Sequence, residues 1–153
     1  MSDNVNFNLQ RFVEAQSSAW PRAIEELSAG RKQSHWMWFI FPQLAGLGMS
    51  PTAQLYALAS EEEARAYLRH PLLGPRLIEA TEATEAVLAH QGKSLYEIFG
   101  SPDDMKFRSS MTLFELASGD AAAPFTRALD AFCAGQRDDK TLALLDWTPA
   151  ADA

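Results

Sequence analysis

The chain has 153 residues, about the length of one domain, and 47% of them are apolar, 10% aromatic and 22% charged. This composition excludes an intrinsically disordered chain, because it supplies enough apolar surface for a packed core. Thirteen basic against twenty acidic side chains give a net charge of −7, which argues against a general nucleic-acid-binding protein, since such binding depends on basic groups that neutralise phosphates.

Helix signals follow one another along the chain, whereas the hairpin turns and alternating patterns of a sheet are missing from the sequence. Helix starts are predicted at four serines with capping or capping-box spacing: Ser50, Ser60, Ser94 and Ser101. Helix ends are predicted at four glycines that follow helix-forming residues: Gly30, Gly92, Gly100 and Gly135. The predicted helices span residues 7–18, 20–29, 34–41, 51–59, 61–69, 72–90, 95–99, 102–118, 124–134 and 139–146.

These elements predict an all-α fold, a single irregular multi-helix domain over residues 1–153 that contains no sheet. Its ordered core is predicted at about residues 7–147, with short flexible termini and a frayed tail at Thr148–Ala153. The segment Gly119–Ala123, which has the sequence GDAAA, is the best candidate for a flexible loop.

The sequence also predicts a cytoplasmic location. Cys133 is the one cysteine, so an intramolecular disulfide is excluded and a reducing compartment is favoured. Met1–Asn4 lacks the basic and apolar regions of a signal peptide. The longest fully apolar run, Trp36–Phe41, is far shorter than the ~20 residues that cross a bilayer, so we expect no membrane association.

The segment Arg31–Gln43 (RKQSHWMWFIFPQ) is unusually rich in aromatic residues. It holds two of the four tryptophans and two of the nine phenylalanines of the chain. As a helix capped by Ser34 it would be apolar on every side and therefore buried, and a short strand covered on both faces has a similar pattern. We predict the helix, because the neighbouring segments are helical and no partner strand is visible.

His35 is the candidate acid or base of this segment. On a helix it would share a face with Trp38 and Phe39, at spacings of three and four residues, and an imidazole there could act as an acid, a base or a hydrogen-bond donor at the mouth of an aromatic pocket. The alternative is a buried or half-buried histidine that bonds a backbone carbonyl. The tryptophans Trp36 and Trp38 are likewise explained either as a ligand surface or as core filling.

Arg31 and Lys32 directly precede the predicted helix. Cations beside the free N–H groups of a helix N-terminus indicate an anion site. The alternative is that both are solvated charges that follow the preceding helix after Gly30. The sequence favours neither interpretation.

A second unusual segment, Ser101–Phe114, carries Lys106 in helical register with Ser110 and two apolar residues. A lysine and a small hydroxyl on a packed face indicate a polar notch, in which Ser109 or Ser110 could orient a substrate or act as a nucleophile. The alternative is that the small serines only let another helix approach closely. Asp103, in the first turn, is explained by the helix dipole.

No pair of histidine, cysteine or carboxylate residues has the spacing of a zinc or di-iron site. The sequence also lacks a phosphate-binding glycine loop and a nucleophile elbow. We therefore expect neither a metal nor a cofactor.

Several strings in the chain resemble one bacterial and fungal family, domain-of-unknown-function family 1810. The most specific string is SHWMWFIFPQ at Ser34–Gln43, and further matches are HPLLG at His70–Gly74, DDMK at Asp103–Lys106 and SSMTLF at Ser109–Phe114. The similarity runs from about Leu9 to Leu145. The resemblance implies a small all-helical fold, and the family has no agreed substrate, cofactor or catalytic residue.

Both unusual segments coincide with the family strings, and we predict that they form one cleft. The predicted ligand is a small anionic or nucleotide-like metabolite, because cations and helix N–H groups hold a charge while indole offers a stacking surface. The alternative is a non-catalytic interaction module that receives a peptide or partner helix in an aromatic groove. Catalysis is left open, with His35 as the candidate. The predicted ligand-binding residues are Arg31, Lys32, Ser34, Trp36, Trp38, Gln43, Lys106, Ser109, Ser110 and Thr112.

Overall fold

A computed structural model describes residues 7–119 and 122–145 of the protein. Within these residues the backbone forms helices and no sheet, and its β-type pairing is an isolated parallel bridge between Leu44 and Leu58. The predicted all-α fold class is therefore confirmed. In chain order the helices are α1 (Gln10–Ala29), α2 (Met37–Ile40), α3 (Pro51–Leu55), α4 (Glu61–Arg69), α5 (Leu73–Gln91), α6 (Leu95–Phe99), α7 (Asp103–Ser118), α8 (Ala123–Cys133) and α9 (Asp139–Leu144).

Helix α1 replaces the two separate helices predicted at residues 7–18 and 20–29, and Pro21 lies inside it. Its buried residues continue on one face from the first half to the second, at Phe12, Gln16, Ala23 and Leu27. Helix α1 packs against α5. Burial of a continuous face stabilises the unbroken helix by more than the proline destabilises it. The sequence pattern does not reveal which of these two effects is larger.

The serine caps are confirmed at three of the four predicted positions. Ser50, Ser60 and Ser94 each accept a hydrogen bond from the backbone N–H three residues later, at 3.1 to 3.2 Å. The predicted start at Ser101 is wrong, because α7 begins at Asp103 and has no side-chain cap.

The junction between α4 and α5 depends on two residues of the HPLLG string. His70 Nδ1 accepts hydrogen bonds from the backbone N–H groups of Leu72 and Leu73, at 3.1 and 3.2 Å, so this side chain orders the start of α5. A β-carbon added at Gly74 would lie 2.0 Å from the carbonyl oxygen of Leu68. Glycine at this position is therefore required by the close approach of the two helices.

The aromatic segment is part of the hydrophobic core. Trp36, Met37, Ile40 and Phe41 are at most 1% exposed, and the Phe41 ring centroid lies 5.1 Å from that of Phe107 on α7. The aromatic segment therefore packs against α7. The predicted helix at 34–41 is shorter than expected, since only the single turn of α2 is helical.

Some predictions concern residues outside the described ranges. These are the frayed tail at Thr148–Ala153 and the middle of the proposed loop Gly119–Ala123. The organisation as a single domain over residues 1–153 stays a prediction.

Among the helices of residues 7–119 and 122–145, none combines the length and the apolar character that a bilayer-spanning helix needs.

Candidate functional site

Glu26 of α1 anchors the beginning of the aromatic segment. Its carboxylate accepts hydrogen bonds from the backbone N–H groups of Gln33 and Ser34, at 2.8 and 3.0 Å. It also accepts bonds from the Ser34 hydroxyl at 2.6 Å and from the Trp36 indole N–H at 2.9 Å. The prediction that Ser34 caps the following helix is therefore wrong, because its hydroxyl is bonded to Glu26 and holds the segment against α1.

These bonds keep Glu26 ionised. Burial on its own raises the pKa of the carboxyl, but the hydrogen bonds from Ser34, Gln33 and Trp36 outweigh burial and lower the pKa to about 2. The sequence alone does not single out Glu26. The chain has twenty acidic residues, and the hydrogen-bond partners of Glu26 lie seven to ten positions further along. No local sequence pattern connects a glutamate with partners at that distance.

Lys32, Asp103 and Lys106 form a charged cluster where the aromatic segment meets α7. One oxygen of Asp103 lies 2.9 Å from Lys32 Nζ, and the other lies 3.2 Å from Lys106 Nζ. The three side chains are 8%, 19% and 27% exposed, respectively, so Lys32 is nearly buried and Lys106 reaches the surface. Two cations on one carboxylate leave the cluster with a net positive charge.

Each lysine of this cluster also lies over an indole ring. Lys32 Nζ is 5.3 Å from the ring centroid of Trp36, and Lys106 Nζ is 5.4 Å from that of Trp38. Both distances are within the ~6 Å over which a cation is attracted to an aromatic face. The structure thus brings together four of the predicted site residues. Trp36 is buried and Trp38 is half-buried, so Trp38 is the indole that a ligand can reach.

A small pocket opens beside Trp38. Gln43 and Lys106, two of the predicted site residues, line it together with Gly48 and with Tyr56, the residue directly after α3. In this conformation the pocket has room for about one water molecule. A larger ligand must therefore lie across its mouth.

Arg31 and His35 are exposed, and neither side chain forms a hydrogen bond or an ion pair with another described residue. The shared face of His35 with Trp38 and Phe39 is a wrong prediction, because α2 begins only at Met37. The alternative of a buried histidine is also wrong. A catalytic role for His35 stays a prediction, and no described side chain orients its imidazole.

The hydroxyl groups predicted at the site are buried within the helix packing. Ser109 and Thr112 each donate to the backbone carbonyl four residues earlier, at 3.1 and 2.9 Å, and Thr112 also accepts a bond from the backbone N–H of Asp138. Ser110 is fully buried, and its hydroxyl has no partner among the described residues. None of the three lines the pocket beside Trp38.

The sequence explains Asp103 by the helix dipole alone, whereas the structure also gives it two ion-pair partners. It does lie at the start of α7, as the helix-dipole interpretation requires. Its spacing of three residues from Lys106 is a readable signal for an ion pair on a helix. The contact with Lys32 has no such signal, since the two residues lie far apart in the sequence.

Within the described residues, no group of three or more histidine, cysteine, aspartate or glutamate side chains is arranged to hold a metal ion.

Comparisons with known proteins identify relatives without an assigned activity. The family described as "Protein of unknown function (DUF1810)" matches residues 6–145. The crystal structure of the conserved hypothetical protein Rv1873 from Mycobacterium tuberculosis has a TM-score of 0.88 and 54% sequence identity, over 93% of this chain and 99% of that one. No curated protein matches this chain.

Proposed function

This chain belongs to the DUF1810 family of proteins of unknown function, and we propose that it binds a small anionic, nucleotide-like metabolite where the segments Arg31–Gln43 and Lys106–Thr112 meet. The binding surface consists of Lys106, Trp38 and Gln43. The observation that carries this proposal is the Asp103 carboxylate that two lysines share, each of which also lies over an indole ring.

The charge of the cluster favours an anion. Asp103 neutralises one of its two lysines, and the ammonium group of Lys106 is the more exposed. The net charge of −7 for the whole chain does not oppose this, because charges beyond about 8 Å are screened at physiological ionic strength. A phosphate group that contacts Lys106 therefore experiences mainly the local positive charge.

Trp38 offers a stacking surface for the ring of the ligand, next to the positive charge of Lys106. Trp38 is half-buried, so a planar group can stack on the exposed part of its ring. Gln43 lines the same pocket and offers an amide that can donate and accept hydrogen bonds. Because the pocket itself is narrow, the ligand lies across its mouth with the phosphate at Lys106.

Isothermal titration calorimetry with three probes tests the two halves of this ligand. AMP carries a ring and a phosphate, adenosine carries the ring alone, and inorganic phosphate carries the charge alone. We expect AMP to bind more tightly than either, with an affinity that falls as the salt concentration rises. Absence of AMP binding, or binding that does not depend on salt, would contradict the proposal.

Lys106→Met is expected to weaken AMP binding at least about tenfold, which is 1.4 kcal/mol. Methionine keeps most of the aliphatic stem on Trp38 and removes only the charge, and the free energy of unfolding should change by less than about 1 kcal/mol, as for other surface ion pairs. Calorimetry and urea unfolding measure the two effects. The control is Lys140→Met, at an exposed lysine of α9 outside the cluster, and AMP should bind this variant as it binds the wild type.

Asp103→Asn is expected to act in the opposite direction on binding. Loss of the carboxylate raises the charge of the cluster by one unit, so AMP should bind severalfold more tightly. The variant should be less stable by about 1–3 kcal/mol, because the nearly buried Lys32 loses its partner. If the cluster only supported the fold, this variant would bind AMP no better than the wild type does.

A protein-interaction role is the second candidate function, and one observation favours it. Met49 and Leu55 are 80% and 57% exposed, and they adjoin the pocket residues Gly48 and Tyr56 along the chain. Exposed apolar residues around a groove suit an apolar helix or peptide. This role predicts that replacing both residues by serine abolishes binding of a peptide selected from a library on the wild-type protein, whereas AMP binding is unchanged.

A further inference from the structure

A second, larger pocket lies between α4, α5, α7 and α8, and we name it the α4–α8 pocket. Its cavity volume of about 440 Å³ is within the range of roughly 300–1,000 Å³ that is typical of small-molecule sites. None of its described lining residues also lines the pocket beside Trp38. The proposed function does not use it.

The walls of the α4–α8 pocket are mainly apolar. Leu68, Ile78, Leu116 and Phe125 line it, one from each of the four helices. Phe125 is fully buried and the other three are half-buried, so part of their apolar surface still faces the pocket and solvent. An alkyl chain that covers this surface removes it from water, which favours binding in proportion to the area buried.

Among the described residues that line this pocket, the charged ones are both basic. Arg65 and Arg69 lie one helical turn apart on α4. Arg65 donates one hydrogen bond to Glu61, at 2.7 Å, through a partly exposed ion pair. A guanidinium group has five N–H donors, so Arg65 retains donors for a further carboxylate.

We propose that the α4–α8 pocket binds an amphipathic monocarboxylate, namely a fatty acid of medium chain length. The alkyl chain lies against Leu68, Ile78, Leu116 and Phe125, and the carboxylate bonds the guanidinium of Arg65 at the rim. Guanidinium and carboxylate match in geometry and form strong charge-assisted hydrogen bonds. The combination of an apolar wall with a basic rim selects a molecule that has both parts.

NMR titration of the full chain with decanoate tests this proposal. The methyl signals of Ile78 and Leu116 should shift in proportion to bound decanoate, and the affinity should exceed that of decanol, which has the same alkyl chain and no charge, by about tenfold. Butyrate carries the charge without the long chain and should bind much more weakly. Unchanged methyl signals up to the solubility limit of decanoate, or equal binding of decanol, would overturn the proposal.

The double variant Arg65→Gln, Arg69→Gln locates the carboxylate. It should bind decanoate about tenfold more weakly and decanol as the wild type does. Arg22→Gln, at an exposed arginine of α1 that does not line the pocket, should leave both affinities unchanged. Equal loss in the double variant and the control would show that the basic rim has no specific role. Since the surface proposed for AMP lies elsewhere, at Lys106, Trp38 and Gln43, neither result bears on the proposed function.

Discussion

Glu26→Gln is expected to lower the free energy of unfolding at pH 7 by about 3 kcal/mol. The carboxylate is nearly buried and accepts four hydrogen bonds, which depress its pKa from 4.5 to about 2. An uncharged amide has a single acceptor oxygen and cannot replace these bonds. Urea unfolding of both proteins at pH 7 measures the difference.

The same residue predicts a pH dependence. Because the pKa of Glu26 is lower in the folded than in the unfolded state, its contribution to stability is complete above about pH 4.5 and is lost as the pH falls toward 2. The gap in stability between the wild type and Glu26→Gln should therefore narrow in acid. The control Glu25→Gln, at an exposed neighbour on α1, should change stability by no more than about 0.5 kcal/mol. Equal effects of the two substitutions would contradict the role given to Glu26.

Phe41→Ala is expected to lower the free energy of unfolding by about 3–5 kcal/mol. The side chain is fully buried, and its ring centroid lies 6.4, 5.9 and 5.1 Å from those of Trp36, Phe99 and Phe107. Truncation removes this apolar burial and leaves a cavity that the surrounding rings fill only in part. Chemical denaturation monitored by circular dichroism measures the loss.

Tyr96→Ala is the control for this substitution. Tyr96 is 64% exposed, so the same truncation of an aromatic side chain should cost no more than about 0.5 kcal/mol. A small effect at Phe41 as well would mean that the aromatic segment is not part of the core.

Much of the fold could be predicted because helix boundaries have local chemical causes. A serine that bonds the N–H three residues later, as at Ser60 and Ser94, acts within one helical turn and is visible in the sequence. Pro21 shows the limit of this reasoning. Its effect on α1 depends on packing against α5, and the sequence pattern contains no direct information on that contact.

The candidate site could be predicted in part for a similar reason. Aromatic and basic residues concentrate in one string, so Lys32 and Trp38 stand out in the sequence itself. Glu26 and the contact of Asp103 with Lys32 are tertiary contacts between distant segments, and they leave no local pattern. The hydroxyl of Ser110 has helical register with Lys106, but register does not determine whether a small side chain is buried.

The indole N–H signals of the tryptophans provide the most direct test of the proposed anion site. Trp38 lies under Lys106 in the charged cluster, whereas Trp20 on α1 lies under Arg76, with the guanidinium carbon 5.1 Å from its ring centroid, and is outside the cluster. In an NMR titration with AMP, we predict that the Trp38 indole signal shifts until the site is saturated while the Trp20 signal stays in place. An unchanged Trp38 signal, or an equal shift at Trp20, would contradict the proposed function.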